Sequence, residues 1–356
     1  MVGCALVSIR VANDADNAEL LDLESVCPQG TSLVLQFDRS PDFFSRSRVY
    51  DNYKVYVAAE EEGKIVGTVG ATLKDFNMGE EAVKGVYIYD LRVHPAFRGR
   101  GIGSKLLQQV IVEENEADLA YGHIMEENYP SIALFKRLGF LNIHDFMLLN
   151  VPLYKRQEQA SSKIREMTTD DAPSVVGLIN NHYRTHDFFA PLSIGNFLNR
   201  TRQLTDYGFQ STQVVEVENR IVACAGLWDY SRILRINVLR VTARLKMLTY
   251  ILRFANLFTT TMKLPLIGEF FRLMYVTDFA FAGEANPIRE LIEHCLGLAF
   301  SCGCDFLVFP LDPSNPAISL IAKYRPIRTS YHIYAKSLKE KALSTQRMIY
   351  VDALDL

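Results

Sequence analysis

Residues 91–104 read LRVHPAFRGRGIGS. A strand-like run, VYIYDLRV (86–93), leads into this stretch, and an apolar helical face opened by Leu106 and Leu107 leads out of it. Between them stand Arg98 and Arg100, then Gly101 and Gly103. Backbone N–H groups at a helix N-terminus lack partners and carry partial positive charge, so a phosphate fits there. Glycines let the backbone approach the anion, and the arginines add charge-assisted donors. Two phosphate loops fail on inspection. The dinucleotide pattern Gly-x-Gly-x-x-Gly meets Leu106 where its third glycine belongs, and the Gly-Lys-Ser/Thr of the P-loop is absent.

The chain of 356 residues is long enough for two ordinary domains. It is 49% hydrophobic and 22% charged, close to the globular average, so neither disorder nor a fibrous class is indicated. A formal net charge of -3 gives no general argument for nucleic-acid binding. Cys4, Cys27, Cys224, Cys295, Cys302 and Cys304 form no Cys-x-x-Cys pair and no disulfide-like spacing. A reducing cytoplasm is the simplest compartment. MVGCALVSIR is not read as a secretion signal, and no run approaches the ~18 apolar residues of a membrane span.

The two halves echo each other in order. VSIRVANDADNAELLDL is answered by SKIREMTTDDAPSVVGLI, DFF at 42–44 by DFF at 187–189, and VYVAAEEEGKIVGTVGATL by VVEVENRIVACAGLW. EENYPSIALFKRLGF has a weaker counterpart in PSNPAISLIAKYRPI. KRQEQASSK (155–163) is polar, lacks periodicity and reads as a linker. Four echoes in one order imply two copies of one α/β fold. In the first copy we expect strands at 5–11, 54–60, 64–75, 83–93, 119–126 and 140–149, with helices at 14–26, 101–116 and 131–138. A polar and aromatic stretch separates the first helix from the second strand, and Gly139 suits a left-handed helix cap.

Arg-x-x-Gly-x-Gly after a Val-x-Pro turn resembles the coenzyme A pyrophosphate loop of the GNAT acetyltransferase superfamily. A second element follows at the family's spacing: NYPSIALFKRLGF supplies Asn128, Ala133, Leu134, Phe135, Gly139 and Phe140. The resemblance covers nearly all of the first half. PLSIGNF, Phe135 and an insert ending in KLPLIGEF extend it to the tandem acetyltransferases of the plant HOOKLESS type and their bacterial relatives. It implies an α/β fold of two tandem GNAT-like domains, each a mixed, mostly antiparallel twisted sheet flanked by helices, with splayed central parallel strands. Residues 1–154 would be the acetyl-CoA-binding domain. Residues 164–356 would be a degenerate copy, whose loop region reads FAGEANPIREL and sets Glu284 where an anion would sit.

The resemblance also places the cosubstrate. The pantetheine arm of acetyl-CoA would lie between strands 83–93 and 119–126, against Leu91, Arg92 and Val93. Arg98, Gly99, Arg100, Gly101, Ile102, Gly103 and Ser104 would surround the pyrophosphate, with Asn128, Ser131 and Phe135 near the arm. The Val93 N–H is the expected donor to the thioester oxygen. No metal is expected. His123 falls where related enzymes carry a glutamate base, and histidine suits proton transfer near neutrality. Its bland alternative is a partly buried strand residue. Asp90, acting through water, is the second candidate, and a salt bridge to Arg92 or Arg98 is its bland alternative. Position 135, usually a tyrosine able to protonate the departing thiolate, is phenylalanine.

His182 and His186 stand at a metal-like spacing but lack a third ligand in sequence, so core or solvent histidines are expected. The segment 230–268 has no Asp or Glu yet carries Arg232, Arg235, Arg240, Arg244, Lys246, Arg253 and Lys263. It reads as an insertion that is apolar nearly all round a helical wheel, which argues against a pure membrane-surface helix. It would pack on the first half, form a dimer or partner surface, or touch an anionic lipid or nucleic acid. The reading is direct acetyl transfer to an amine, small molecule or peptide, in a ternary complex. The alternative is a non-catalytic acetyl-CoA-binding module that contacts a partner through its second half and the insert.

Overall fold

The structure is a computed structural model that describes residues 7–30, 33–154, 163–255, 266–339, 343 and 345–356. The expected linker at 155–163 lies outside the described residues except for Lys163. In chain order the first half contains β1 (Ser8–Val11), α1 (Asn17–Ser25), β2 (Leu33–Asp38), β3 (Tyr53–Ala59), β4 (Ile65–Met78) and β5 (Glu81–Val93). It continues with α2 (Ile102–Glu113), β6 (Leu119–Met125), α3 (Tyr129–Arg137) and β7 (Leu141–Pro152). The second half contains β8 (Ile164–Glu166), α4 (Ala172–Tyr183), α5 (Ile194–Gln203), β9 (Thr212–Val217), β10 (Arg220–Asp229), β11 (Arg235–Val241) and α6 (Ala243–Ala255). It ends with β12 (Phe270–Phe271), β13 (Leu273–Phe281), α7 (Ala285–Ser301), β14 (Phe306–Leu311), α8 (Ala317–Ile321) and β15 (Ile327–Ser337).

Contacts divide the chain into two units, Met1–Asp145 with Tyr331–Gln346, and Phe146–Ser330 with Arg347–Leu356. Strands run β1-β3-β4-β5-β6-β15 in the first unit and β7-β14-β13-β10-β9-β8 in the second. Pairing is antiparallel except for the central parallel pairs β5–β6 and β13–β14. Each sheet is therefore closed by a strand from the other half of the sequence: β15 pairs with β6, and β7 with β14. The spatial division does not follow chain order.

The duplicated start of each copy has a physical basis. Arg10 grips Asp16 through two bonds of 2.7 Å, while Asp16 also accepts from the Asn13 N–H. Arg165 grips Asp171 in the same way at 2.6 and 2.9 Å, while Asp171 accepts from the Thr168 N–H. In both, the aspartate satisfies the free donors of a helix start and ties it to the preceding strand. The β9–β10 turn sits at Glu218 and Asn219, with φ of 50° and 60°, as a two-residue hairpin turn requires. The strand β2 was not anticipated, because its apolar residues Leu33, Val34, Leu35 and Phe37 do not alternate cleanly. β4 turns directly into β5, whereas β11, α6 and β12 intervene between β10 and β13. The basic segment is thus an insertion.

His182 and His186 pack within the second unit, their rings 5.9 Å apart, and among the described residues no group of three or more His, Cys, Asp or Glu gathers. The His182 ring bonds to the Phe281 carbonyl at 2.9 Å. His186 is 6% exposed, and burial, then the neighbouring His182, lowers its pKa from 6.5 to about 4. Between those values the unfolded chain binds the proton and the folded chain does not, so stability is lost as pH falls through this window. We expect this histidine to cost about 2 kcal/mol between about pH 7 and pH 5. Urea unfolding of His186→Gln should show a correspondingly smaller acid loss than the parent, and an equal loss would assign the acid sensitivity elsewhere.

Candidate active site

The site begins with a break in a strand pair. β5 and β6 match over Gly85–Leu119, Val86–Ala120 and Tyr87–Tyr121 only. β5 then runs on to Val93 and β6 to Met125 with no further mutual register. On its other edge β5 carries a bulge, because the β4 register shifts between Thr68 and Gly70. Asp90 and Leu91 together face the single residue Val69. Asp90 takes φ 52°, a left-handed conformation that is costly for a strand residue.

A buried charge cluster holds that conformation. The Arg46 guanidinium donates to Asp90 Oδ1 at 2.9 Å, and Arg92 and Arg39 pair with the same carboxylate at 2.9 and 2.7 Å. Glu24 from α1 pairs with Arg92 at 3.1 Å and Arg39 at 3.4 Å. All five side chains are at most 11% exposed. Burial alone would raise the Asp90 pKa, but Arg39, Arg46 and Arg92 outweigh it and hold the carboxyl far below the usual range. At Glu24 burial wins and the pKa is raised. A carboxylate so stabilised in its ionised form is a poor proton acceptor, so the geometry does not support Asp90 as a base. It anchors the bulge. Arg92 is likewise committed through its side chain, leaving only its backbone to face a ligand.

His123 stands on β6 two residues beyond the last matched pair. Its ring lies 5.0 Å from that of Tyr87 and 5.9 Å from that of Tyr121. Tyr87 also stacks on Tyr89 at 5.6 Å, and Tyr50 packs on Tyr89 at 5.4 Å. Ala120 and Ile124, on the alternate face of β6, join the core formed with α2 and α3. The strand alternation therefore turns His123 toward the face opposite those helices. Phe135 approaches from the helix side. A Cβ at Gly122 would lie 3.2 Å from the Phe135 ring and 3.0 Å from the Ile88 carbonyl, so glycine is needed for this close approach. Phe135 is buried and packs on Phe140 at 4.7 Å.

The glycine loop continues from β5. Gly101 is the N-cap of α2 with φ 81°, and no side chain caps that helix. Open space lies beside both Gly99 and Gly101, where an added Cβ would meet nothing within 4 Å. Arg98 Nε donates to the Val93 carbonyl at 3.1 Å, and Arg100 donates to that of Ala96 at 3.2 Å. Gly103 instead serves packing, since a Cβ there would reach Leu134 at 3.1 Å. Ile102 is buried in the core. Asn128 caps α3 by accepting from the Ser131 N–H at 3.3 Å. Of the remaining sequence-based positions, Leu91 and Val93 pack partly on the core. Ser104 accepts from Arg137 at 3.1 Å. Sequence reasoning missed Arg137, which the fold of α3 brings to the start of α2, and it missed Glu24, Arg39 and Arg46.

The second unit repeats the frame and fills the gap. β13 and β14 match from Leu273–Phe306 to Tyr275–Val308, and β13 carries a bulge at Asp278, with φ 49°. Counting from the matched pairs, Phe279 and Phe309 occupy the places of Leu91 and Gly122. Their rings pack at 5.6 Å within the core. Pro310 stands in the place of His123, and α7 begins after Glu284.

A parting parallel strand pair, a bulge, and an uncapped glycine-rich helix start make an α/β domain with room for an extended, phosphorylated ligand. Residues 17–140 match the acetyltransferase (GNAT) family. The chain thus carries a GNAT acetyltransferase domain. It is similar to the "Probable N-acetyltransferase HLS1-like" of Arabidopsis thaliana, 23% identical over 361 residues and 87% of each chain. It is also similar to that plant's "Probable N-acetyltransferase HLS1", 26% identical over 51% of this chain and 50% of the relative. Among solved structures, Saccharomyces cerevisiae N-myristoyltransferase with bound myristoyl-CoA superposes with a TM-score of 0.65 at 12% identity, covering 94% of this chain and 83% of that one. A GCN5-related N-acetyltransferase from Sphaerobacter thermophilus gives 0.62 at 13% identity, covering 96% and 98%. The tandem GNAT-like fold extends over nearly the whole chain. The family match and the myristoyl-CoA bound to the yeast neighbour together support acyl-CoA-dependent acyl transfer. Among the described residues no helix is long and apolar enough to cross a membrane.

Two measurements check the site. In calorimetry with acetyl-CoA, the parent should bind one equivalent per chain, since Phe279 and Phe309 fill the second gap. Gly101→Val should abolish binding, and Arg98→Ala should weaken it by roughly 1.5–3 kcal/mol. A stoichiometry of two, or unchanged affinity in folded Gly101→Val, would remove the assignment. Asp90→Asn should destabilise the fold by about 3–5 kcal/mol, because three buried arginines lose their main counter-charge. Unchanged stability with lost turnover would return Asp90 to the reaction itself.

Proposed function

We propose that the chain is an N-acetyltransferase of the cytoplasm that moves an acetyl group from acetyl-CoA directly to an amine in a ternary complex. The observation that carries this reading is the gap between β5 and β6, which opens beyond Tyr87 and Tyr121, together with the uncapped α2 N-terminus that follows β5 in the chain. The residues present fit acetyl-CoA. Backbone of Leu91, Arg92 and Val93 would pair with the pantetheine arm, and the α2 N–H groups with Arg98, Arg100 and Ser104 would hold the pyrophosphate. Arg137, bonded to Ser104, adds a cation beside the same helix start. Asn128 and Ser131 would flank the arm from the start of α3, and Phe135 would wall it on the helix side. Bound there, acetyl-CoA supplies an activated acetyl thioester. The Val93 N–H would stabilise charge growing on the thioester oxygen.

An attacking amine must be neutral. His123 is the group in place to take its proton, since it lies beside the gap, on the face away from α2 and α3, and keeps some solvent contact. Phe135 has no proton to give, so a coenzyme A thiolate would leave unassisted from that position. This substitution also supports a second reading, a non-catalytic acetyl-CoA-binding module. Product formation against a panel of amines separates the two.

His123→Ala should lower turnover by about 10²–10⁴-fold while acetyl-CoA affinity stays nearly constant. Rates must be compared between variant and parent across pH, because the acceptor's own ammonium also titrates. A flat ratio near one makes His123 a packing residue of the tyrosine cluster. Parallel losses in melting temperature and affinity would say the same.

A further inference from the structure

The insertion contains a helix with two apolar stripes. On α6, Leu245, Thr249 and Leu252 recur at helical spacing and turn inward, with Thr249 buried and donating to the Leu245 carbonyl at 2.9 Å. Met247, Tyr250, Ile251 and Phe254 also recur at i, i+3, i+4 and i+7, yet they are 62%, 52%, 55% and 65% exposed. Leu248 at 44% and the nearby Leu239, Ile267 and Phe270, at 41–51%, enlarge this apolar surface. An ordinary surface helix spends one stripe on the core and leaves the other polar. A second apolar stripe this exposed is surface of the kind that marks an interaction site.

Charge says what kind of cover. Around the α6 helix, Arg244 lies on one border of the exposed stripe and Lys246 and Arg253 on the other, and Arg235 and Arg240 are exposed on the preceding strand. From residue 230 to 268 there are seven Lys and Arg and no Asp or Glu. Arg253 pairs with Glu269, just past that interval. A protein partner's surface usually mixes signs. Nucleic acid would use the charge, and a base could stack on Tyr250 or Phe254, but it has no use for exposed Met247, Leu248 and Ile251. Apolar residues pointing outward with cations on both borders match the plane where acyl chains meet anionic headgroups, with Lys and Arg stems reaching back to the phosphates.

We propose that the outer stripe of α6 docks this chain on an anionic lipid bilayer surface, lying along the interface rather than crossing it. The contact is peripheral and reversible: one short helix inserts a few side chains, and the surrounding Arg and Lys residues supply attraction that salt weakens.

Flotation with vesicles tests this on the full chain. The parent should float with phosphatidylcholine vesicles containing about a third phosphatidylglycerol and bind pure phosphatidylcholine at least about tenfold less. Raising salt from about 0.1 M to about 1 M should release it, as the Debye length shrinks from ~10 to ~3 Å. Met247→Glu/Ile251→Glu/Phe254→Glu should lose binding by more than about tenfold, because it removes apolar contact and adds repulsion. Arg240→Gln/Arg244→Gln/Lys246→Gln changes only exposed side chains and should give a similar loss. Unaltered circular dichroism and acetyl-CoA affinity in both variants would make these losses specific. No flotation of the folded parent overturns the proposal. So does equal binding to neutral and anionic vesicles, or binding that both variants retain. A dimer that the glutamate variant dissolves, or a DNA or RNA complex that the glutamine variant loses, seen without flotation, would assign the stripe to that other occupant and overturn it as well.

Discussion

The ion pairs around Asp90 are the constraint on which the first unit's site depends. A strand residue with φ 52° is unstable by itself, and the bulge it forms is what offsets the end of β5 from its neighbours. The arginines that hold it come from different places. Arg92 is two residues along the same strand, whereas Arg39 and Arg46 follow β2, and Glu24 arrives on α1 to balance them. Removing such a carboxylate costs more than the pairs contribute, because the arginines would stay buried without it. The geometry of the gap is thereby coupled to the packing of the N-terminal helix and the segment behind it.

The second unit keeps this device with different parts. Asp278 has φ 49°, and Ala225 faces both it and Phe279. Its counter-charge is Arg200 at 3.2 Å, which also pairs with Asp352 at 2.8 Å. One arginine replaces three, and at this aspartate burial outweighs Arg200, so the pKa is raised rather than lowered. The bulge thus survives where the proposed ligand site does not, which marks it as part of the fold. What differs is small-residue chemistry. Glycine gives way to phenylalanine at position 309, leucine to phenylalanine at 279, and the glycine loop to a segment carrying Glu284. Core packing then takes over the space.

Local signals made much of this legible in the sequence. Strand and helix periods, Gly139 as a cap with φ 84° and the glycine loop all depend on residues within a few positions of each other. Long-range pairing was not legible. The exchange of β7 and β15 between sheets joins residues more than 150 positions apart, as in Phe306 opposite Pro152, and more than 200 apart for Tyr334 opposite Gly122. Asp90 looked like a base candidate because its arginines at 39 and 46 lie about fifty residues upstream, where no period or spacing connects them to it. The insertion looked apolar all round for a related reason. A helical wheel sums its two stripes, and only burial distinguishes Leu245 and Leu252 from Ile251 and Phe254.

The strand β6 shows why the missing hydroxyl at Phe135 and the presence of His123 are separate matters. Alternation sends consecutive side chains to opposite faces, so Gly122 opens toward α3 while His123 turns to the tyrosine face. Phe135 fills the space that Gly122 leaves, and its ring is fixed against Phe140 and Tyr334. A proton donor lost from the helix side therefore has no direct route to alter the histidine side. The two proton transfers of amine acylation, removal from the acceptor and delivery to the leaving thiolate, would draw on opposite faces of one strand. Because a thiolate is a tolerable leaving group without assistance and an ammonium is no nucleophile at all, the second task can be dropped while the first cannot. That asymmetry makes a chain with His123 and Phe135 chemically coherent as an acetyltransferase.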